Sequence, residues 1–148
     1  MPDLQERSDE DLLTACLWAE ARGEPEEGQK AVFNVIVNRV KKRMADSIRG
    51  VILKPKQFSW TDPNDVNYKK VFTAKTDNPA GWERAGKIAK EALAGMLEDL
   101  TKNADHYLNV EVTRRLRGGT LPKWAEEGIE KGKITVVIGN HTFLNLRG

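Results

Sequence analysis

One glutamate stands where a carboxyl group is suited to proton transfer. Glu20 lies in the stretch WAEARGEP, residues 18–25, at the end of an apolar segment with helical spacing. A helix C-terminus carries partial negative charge and apolar neighbours solvate a carboxylate poorly, so both effects should raise the pKa of Glu20. A carboxyl group that keeps its proton near neutral pH can donate it to a glycosidic oxygen. Position alone leaves an equal alternative, in which Glu20 pairs with Arg22 or caps a neighbouring helix.

Further acids decide between two kinds of sugar chemistry. A hydrolase that inverts or retains configuration needs a second carboxylate, and the candidates are Glu24, Asp62 and Asp65. Glu24 precedes Pro25 at a helix start, where capping is the simpler role. One carboxyl group can also act in turn as the acid and as the base of a two-step reaction. Glu20 alone would then suffice.

Amide, hydroxyl and aromatic side chains in the middle of the chain are candidates for binding a sugar. Gln57, Ser59 and Trp60 offer the polar partners and the aromatic plate that carbohydrate binding uses, although they can also anchor their loop. Tyr68 and Tyr107 carry hydroxyls that can position a substrate near an acid. Core packing is an equal alternative for Tyr68.

Other polar residues have simpler explanations. Gln29 and Asn38 lie on a strongly apolar segment, where they either line a cleft or satisfy buried backbone, the role we favour for Asn38. The chain has two histidines, His106 and His141, and one cysteine, Cys16. These three residues do not have the short paired spacings of a zinc site, so we predict neither a metal nor a cofactor. Cys16 falls within an apolar helical pattern and is predicted to be a core residue. As the only cysteine, it excludes an internal disulfide.

The first two helices have clear boundaries. Ser8 and Asp11 open a helix that ends near Arg22, with Gly23 predicted as a left-handed cap. Pro25 can begin a second helix, because its missing N–H costs nothing at that position. The second helix is the more apolar and is predicted to be the central one.

The remaining chain is predicted to be mixed. A short helix around residues 47–53 precedes a stretch without period, residues 54–77, which predicts a long loop. Asn78-Pro79 opens a third long helix, with apolar positions at helical spacing to Leu97. Beyond it we expect the extended segment 106–112, a Gly118-Gly119 break, a helical turn after Pro122, and a β-hairpin over residues 134–144 turning at Gly139-Asn140. The predicted class is α+β, mainly helical with a small C-terminal β-hairpin.

Composition predicts one domain over residues 1–148, with 39% hydrophobic and 31% charged side chains. The 24 basic and 22 acidic residues leave a formal charge of +2, which is unlike a nucleic-acid binder. Basic clusters at 41–43 and 114–117 are interpreted as solvated faces, with a patch for an anionic polymer as the alternative. Residues 1–11 are polar and acidic, so we expect no secretory signal, and no stretch is apolar enough to insert in a membrane.

Six motifs carry a resemblance to a known family. The stretch WAEARGEPEEGQ, residues 18–29, resembles the signature AEARGEPxxGQ of the SleB/CwlJ family of spore-cortex and phage cell-wall hydrolases. Five further matches follow in the family's order, and the resemblance spans about residues 11–144. They are Asn38-Arg39-Val40, Gln57-Phe58-Ser59, Ala104-Asp105-His106-Tyr107, Pro122-Lys123-Trp124 and Ile138-Gly139-Asn140-His141-Thr142-Phe143.

The resemblance implies a compact, lysozyme-like catalytic domain that binds the glycan strands of peptidoglycan and cleaves between N-acetylmuramic acid and N-acetylglucosamine. It places the catalytic acid/base at Glu20. It also implies a lytic transglycosylase, in which the muramic acid 6-hydroxyl attacks and leaves a 1,6-anhydro end. The residues expected to contact substrate are Glu24, Gln29, Gln57, Ser59, Trp60, Tyr68, His106 and Tyr107.

Two other functions also fit the sequence. They are a hydrolytic muramidase with a second carboxylate and a non-catalytic module that binds the cell wall. A wall enzyme without a secretory signal or membrane insertion resembles a phage endolysin, held in the host cytoplasm until a holin releases it to the wall. We further expect a monomer that binds no nucleic acid.

Overall fold

The computed structural model describes residues 3–148. This part of the chain forms seven α-helices, three β-strands and two short 3₁₀ turns. In chain order the elements are α1 Asp9–Ala21, α2 Glu26–Lys41, α3 Ile48–Leu53, α4 Val66–Asp77, α5 Pro79–Leu93, β1 His106–Leu108, α6 Val110–Leu116, α7 Lys123–Glu130, β2 Ile134–Ile138 and β3 His141–Leu144. The predicted fold class is confirmed. Met1 and Pro2, the start of the segment assessed for a secretory signal, lie outside the described residues.

Helices α1 and α2 form the centre of the molecule. α1 packs against α2, α3, α4 and α5, and every residue from Leu12 to Trp18 is buried. α2 packs against α1, α3 and α5 and also against β1 and β2, as expected of the predicted central helix. Burying one leucine or isoleucine side chain stabilises a fold by about 1.5–3 kcal/mol, so this core holds the end of α1 firmly. None of the helices within residues 3–148 has the length and apolar character that a membrane span requires.

The first helix begins where predicted and also ends where predicted, at Ala21, but its C-terminal cap differs from the prediction. The Ser8 hydroxyl accepts a hydrogen bond from the Asp11 amide at 3.1 Å. The left-handed cap predicted at Gly23 is wrong, because this glycine is not among those with positive φ. The Arg22 guanidinium instead donates to the Ala19 carbonyl at 3.2 Å, so a side chain satisfies the end of the helix.

The predicted loop over residues 54–77 is wrong in its second half, where α4 lies. This helix begins where the Asp65 side chain accepts a hydrogen bond from the Asn67 amide at 2.8 Å. Only Val71 and Ala74 are fully buried on α4. A helix with so narrow a buried face leaves no sustained apolar period in the sequence.

The long helix α5 begins as predicted and is shorter than predicted. The Asn78 side chain caps it by accepting a backbone hydrogen bond at 3.2 Å. The apolar pattern predicts a helix that extends to Leu97, but α5 ends at Leu93. Gly95 adopts a φ of 73°, which ends the helix, and Met96 beyond it is 71% exposed.

The strands form an antiparallel sheet in the order β1-β3-β2. The predicted hairpin is confirmed, and its turn uses Gly139 at a φ of 58°, a conformation that favours glycine. Strand β1 pairs with the other edge of β3, which places Tyr107 opposite Phe143. The extended segment predicted over residues 106–112 is correct only for its first three residues, because the Asn109 side chain then caps α6.

A small cluster joins this sheet to α2. Ala31 and Val35 of α2 pack against Ala104 and Phe143, and all four are fully buried. Because α2 also packs along α1, the sheet is held against the helical core. Strand β1 and the C-terminal end of α1 are thereby brought together.

Candidate active site

The Glu20 carboxyl group lies at the C-terminal end of α1, half-buried against strand β1. Tyr107, on β1, donates a hydrogen bond from its hydroxyl to Oε1 of Glu20. The Tyr107 ring packs on His141 and Phe143 of β3, with ring centroids 5.0 Å and 5.7 Å apart. The helix therefore positions the acid, and the sheet positions the hydroxyl that contacts it.

Burial is the main influence on the acidity of Glu20, and it raises the pKa of this carboxyl group. The hydrogen bond from Tyr107 and the positive charge of Arg39 lower the pKa of Glu20, while the charge of Asp65 raises it. The net direction is upward, as predicted from the apolar surroundings. The pKa of Tyr107 is raised well above its usual value by burial and by the Glu20 charge, so its hydroxyl keeps its proton.

The alternative in which Glu20 pairs with Arg22 is wrong. Arg22 lies over the Trp18 ring, with its guanidinium carbon 4.2 Å from the ring centroid. Its Nη2 donates to Oδ1 of Asn67 at 3.1 Å. This contact ties the end of α1 to the first turn of α4, whose capping residue is Asp65.

Arg39 supplies a buried positive charge to the site. Its Nε donates to the backbone carbonyl of Asp105 at 2.8 Å, and its Nη1 lies 3.5 Å from Oε1 of Gln57. Burial lowers the pKa of Arg39, but a guanidinium stays charged in proteins near neutral pH. Gln57 is exposed and is connected through Arg39 to the region of Glu20.

Asp105 joins the C-terminal segment to the site, a role that was not predicted from the sequence although Asp105 lies in one of the six motifs. The fully buried carboxylate accepts hydrogen bonds from Lys42 Nζ at 2.8 Å and from the amides of Leu146 and Arg147 at 2.9 and 2.8 Å. His106 Nδ1 is also 2.8 Å away. Although burial acts to raise the pKa of Asp105, these partners lower it to about 2.

His106, expected to contact substrate, precedes Tyr107 and so faces the other side of the strand. Its ring lies 5.0 Å from that of Trp124, which is 36% exposed. Burial lowers the pKa of His106, and the hydrogen bond with Asp105 opposes that shift. The two rings form a half-exposed aromatic surface.

Two residues of the signature are buried rather than open to solvent. Both carboxylate oxygens of Glu24 are occupied: Oε1 accepts from the Asn140 amide at 2.8 Å and Oε2 from Asn140 Nδ2 at 2.9 Å. Gln29 is 1% exposed. The expectation that these side chains bind substrate directly therefore does not fit their surroundings.

The aromatic plate predicted at Trp60 is wrong. Its side chain is 1% exposed and belongs to the main core, next to Cys16, so it presents no face to a sugar. Cys16 is itself fully buried, as predicted. Ser59, on the same 3₁₀ turn, is exposed and stays available. The burial of Trp60 could not be predicted, because a single tryptophan in a polar stretch is not part of a repeating apolar pattern.

Tyr68 and Asp62 border the same concavity. Tyr68 packs edge-on against Phe72 at 5.0 Å, and with Asp62 it lines a concavity of about 370 Å³ that does not include Glu20. A larger groove of about 980 Å³ lies between the first turns of α1 and helix α5, and it also excludes Glu20. Of the predicted substrate residues, the structure therefore brings only Tyr107 into contact with the acid.

Sequence comparison finds similarity to spore cortex-lytic enzymes. A spore cortex-lytic enzyme of Oceanobacillus iheyensis is 36% identical over 94 residues, which is 58% of this chain and 33% of the relative. A spore cortex-lytic enzyme of Bacillus subtilis is 34% identical over 91 residues, 56% of this chain and 28% of the relative. The chain thus spans about a third of the length of these relatives.

Two solved structures share the fold. The catalytic domain of the Bacillus cereus SleB protein has a TM-score of 0.62 and 27% identity, covering 93% of this chain and 89% of the other. The catalytic domain of the germination-specific lytic transglycosylase SleB from Bacillus anthracis has a TM-score of 0.65 and 27% identity, covering 98% and 100%.

Fold and site therefore define a mainly helical domain that shares the fold of the SleB catalytic domains and has a half-buried carboxyl group at the end of α1. The family model described as Cell Wall Hydrolase matches residues 23–144, and the chain belongs to that family. Glu20 precedes the matched range by three residues.

Proposed function

We propose that this chain cleaves the glycan strands of peptidoglycan between N-acetylmuramic acid and N-acetylglucosamine, with Glu20 as the catalytic acid/base. The observation that carries this proposal is the half-buried Glu20 carboxyl with the Tyr107 hydroxyl bonded to Oε1. When Glu20 is protonated, this bond leaves the proton on Oε2, where it is available to a leaving oxygen. Similarity to spore cortex-lytic enzymes supports the substrate.

The site is suited to a reaction with two proton transfers through one carboxyl group. In the first, Glu20 protonates the glycosidic oxygen as the bond from that oxygen to C1 of muramic acid breaks. In the second, the 6-hydroxyl bonds to C1 and its proton passes to the Glu20 carboxylate. Tyr107 and the charge of Arg39 both favour this carboxylate between the two steps. The product is a 1,6-anhydro end.

The surroundings of the other acids favour this one-carboxyl mechanism over hydrolysis. Glu24 is fully engaged by Asn140. Asp62 accepts from the Asn64 amide at 2.9 Å and lines the concavity that excludes Glu20. Asp65 influences Glu20 electrostatically, but its Oδ1 caps α4. The relative from Bacillus anthracis is described as a lytic transglycosylase.

Digestion of purified peptidoglycan tests this function. We expect soluble fragments to appear without new free amino groups, because a peptide bond is not cut. Few new reducing ends should form, because an anhydro ring closes C1. A rise in amino groups would instead indicate a peptidase or amidase, and fragments with one reducing end per cut would indicate a hydrolytic muramidase.

The Tyr107→Phe variant tests the hydroxyl that contacts the acid. Hydrogen bonds to charged groups contribute about 1.5–3 kcal/mol, so we expect roughly a tenfold or greater loss in kcat. The pKa of Glu20 should rise further, because the bond that favours its charged form is removed. Since the first step needs protonated Glu20, the high-pH limb of the rate profile should move to higher pH. A profile that keeps its wild-type position would contradict the role of Tyr107.

The biological setting proposed for this activity is that of a phage endolysin which reaches the wall through a holin. This stays a prediction. Expression in a bacterial host with and without a holin would test it, because lysis that does not depend on the holin would contradict it.

A further inference from the structure

Glu24 connects the end of α1 to the turn of the β-hairpin. Its backbone amide donates to the Ala21 carbonyl at 2.9 Å, so it belongs to the same helix end that carries Glu20. Its carboxylate receives two hydrogen bonds from Asn140, one from the backbone and one from the side chain. The 9% exposure of Glu24 leaves this acid little contact with water.

Two glycines leave room for this side chain. A Cβ at Gly139 would lie 2.5 Å from Oε1 of Glu24, and a Cβ at Gly28 would lie 2.9 Å from Cβ of Glu24. Both distances are shorter than a real Cβ contact allows. The first turn of α2 and the hairpin turn therefore approach Glu24 closely, and each has a glycine at the point of approach.

The residue that follows the hairpin turn packs on Tyr107, the tyrosine that contacts Glu20. His141 follows the turn, is buried, and has its Nδ1 at 3.9 Å from Oε1 of Glu24 without a hydrogen-bond partner in the described part of the chain. Its ring packs on Tyr107, whose hydroxyl donates to Glu20. Two bridges, Glu20 to Tyr107 and Glu24 to Asn140, thus hold one helix end to one sheet.

We propose that Glu24 is a positioning residue: by holding the Gly139–Asn140 turn it fixes strand β3, and through β3 the Tyr107 hydroxyl that contacts Glu20. The proposal rests on the proposed catalytic role of Glu20. It assigns Glu24 no contact with substrate and no part in proton transfer. The Glu24 carboxylate serves as the acceptor of the two hydrogen bonds from Asn140, because a charged acceptor forms stronger hydrogen bonds than a neutral one.

The pair Glu24 and Asn140 can be tested by exchanging donor and acceptor. In Asn140→Asp two carboxylates face each other at the 2.9 Å contact, which should force the turn away from Glu24. We expect kcat to fall at least about tenfold, with a smaller change in KM, and the high-pH limb to move to higher pH as the Tyr107 bond loosens. In the double variant Glu24→Gln with Asn140→Asp, an amide again donates to a carboxylate. Activity and pH profile should return to within about threefold of wild type.

Glu24→Gln alone keeps an acceptor for the Asn140 amide and should retain more than about a tenth of the wild-type rate. The exposed Glu27→Gln serves as the matched control. Wild-type behaviour of Asn140→Asp would overturn the proposal, as would a double variant that is no more active than Asn140→Asp. Loss of activity in Glu24→Gln as complete as in Glu20→Gln would also overturn it, because Glu24 would then take part in the chemistry.

A second readout does not depend on activity. Carboxyl-carbon NMR titration should show the pKa of Glu20 raised in Asn140→Asp and restored in the double variant. If wild-type protein releases nothing from peptidoglycan, the proposed function fails, and this titration still decides the positioning role. An unchanged Glu20 titration in Asn140→Asp would contradict it.

Discussion

Replacing Glu20 by glutamine should reduce cleavage of peptidoglycan by at least about a thousandfold, since general acid and base catalysis together depend on this one group. The amide cannot protonate the leaving oxygen, and it cannot take the proton of the attacking hydroxyl. The change conserves size, and Tyr107 can still donate to the amide oxygen. The rate of release of soluble fragments from purified peptidoglycan measures the effect.

The thermal midpoint separates a chemical loss from a folding defect. Burial disfavours the charged form of Glu20, so a neutral amide should leave the midpoint unchanged or raise it. Glu27→Gln, an exposed change on the first turn of α2, should keep wild-type activity and stability. A well-folded Glu20→Gln protein with more than a tenth of wild-type activity would rule out Glu20 as the acid.

Of the substitutions proposed here, Asp105→Asn should lower the free energy of unfolding most. The buried carboxylate pairs with Lys42 and accepts from the amides of Leu146 and Arg147. Asparagine keeps one acceptor oxygen but replaces the other, and the charge, with an NH₂ group that faces donors. Breaking a buried ion pair by removing one partner costs about 3–5 kcal/mol. For a chain of this length, that corresponds to a fall of roughly 10 °C in the thermal midpoint. Asp46→Asn, an exposed change, is the control and should leave the midpoint in place.

The Asp105 effect should depend on pH in a defined direction. The pKa of Asp105 is lowered from 3.8 to about 2 in the folded protein. Its stabilisation is therefore complete above the unfolded value and disappears as pH falls through the folded value. The midpoints of wild type and Asp105→Asn should converge between about pH 5 and pH 2. A difference that stays constant over this range would contradict the assignment of the lowered pKa to Asp105.

Elements with strong local signals were predictable from sequence. The cap at Ser8, the cap at Asn78 and the hairpin turn at Gly139 each rest on neighbouring residues, and the structure confirms all three. The position of Glu20 at the end of an apolar helix also predicted the direction of its pKa shift. In these places the local chemistry is enough to determine the outcome.

Features that depend on distant residues were not predictable. The Glu20 hydrogen bond to Tyr107 joins residues 87 positions apart, and the Glu24 contact with Asn140 joins residues 116 apart. Helix α4 buries only Val71 and Ala74, so it was mistaken for a loop. Trp60 was assigned to a sugar site because its polar neighbours hid its place in the core.

Peptidoglycan digestion in ¹⁸O-labelled water, followed by mass spectrometry of the soluble fragments, tests the central claim most directly. The account predicts muropeptides that end in 1,6-anhydro-muramic acid, carry no ¹⁸O, and are absent from the Glu20→Gln digest. Reducing muramic ends that carry one ¹⁸O would contradict the one-carboxyl mechanism, and fragments formed equally by Glu20→Gln would contradict the role of Glu20 itself.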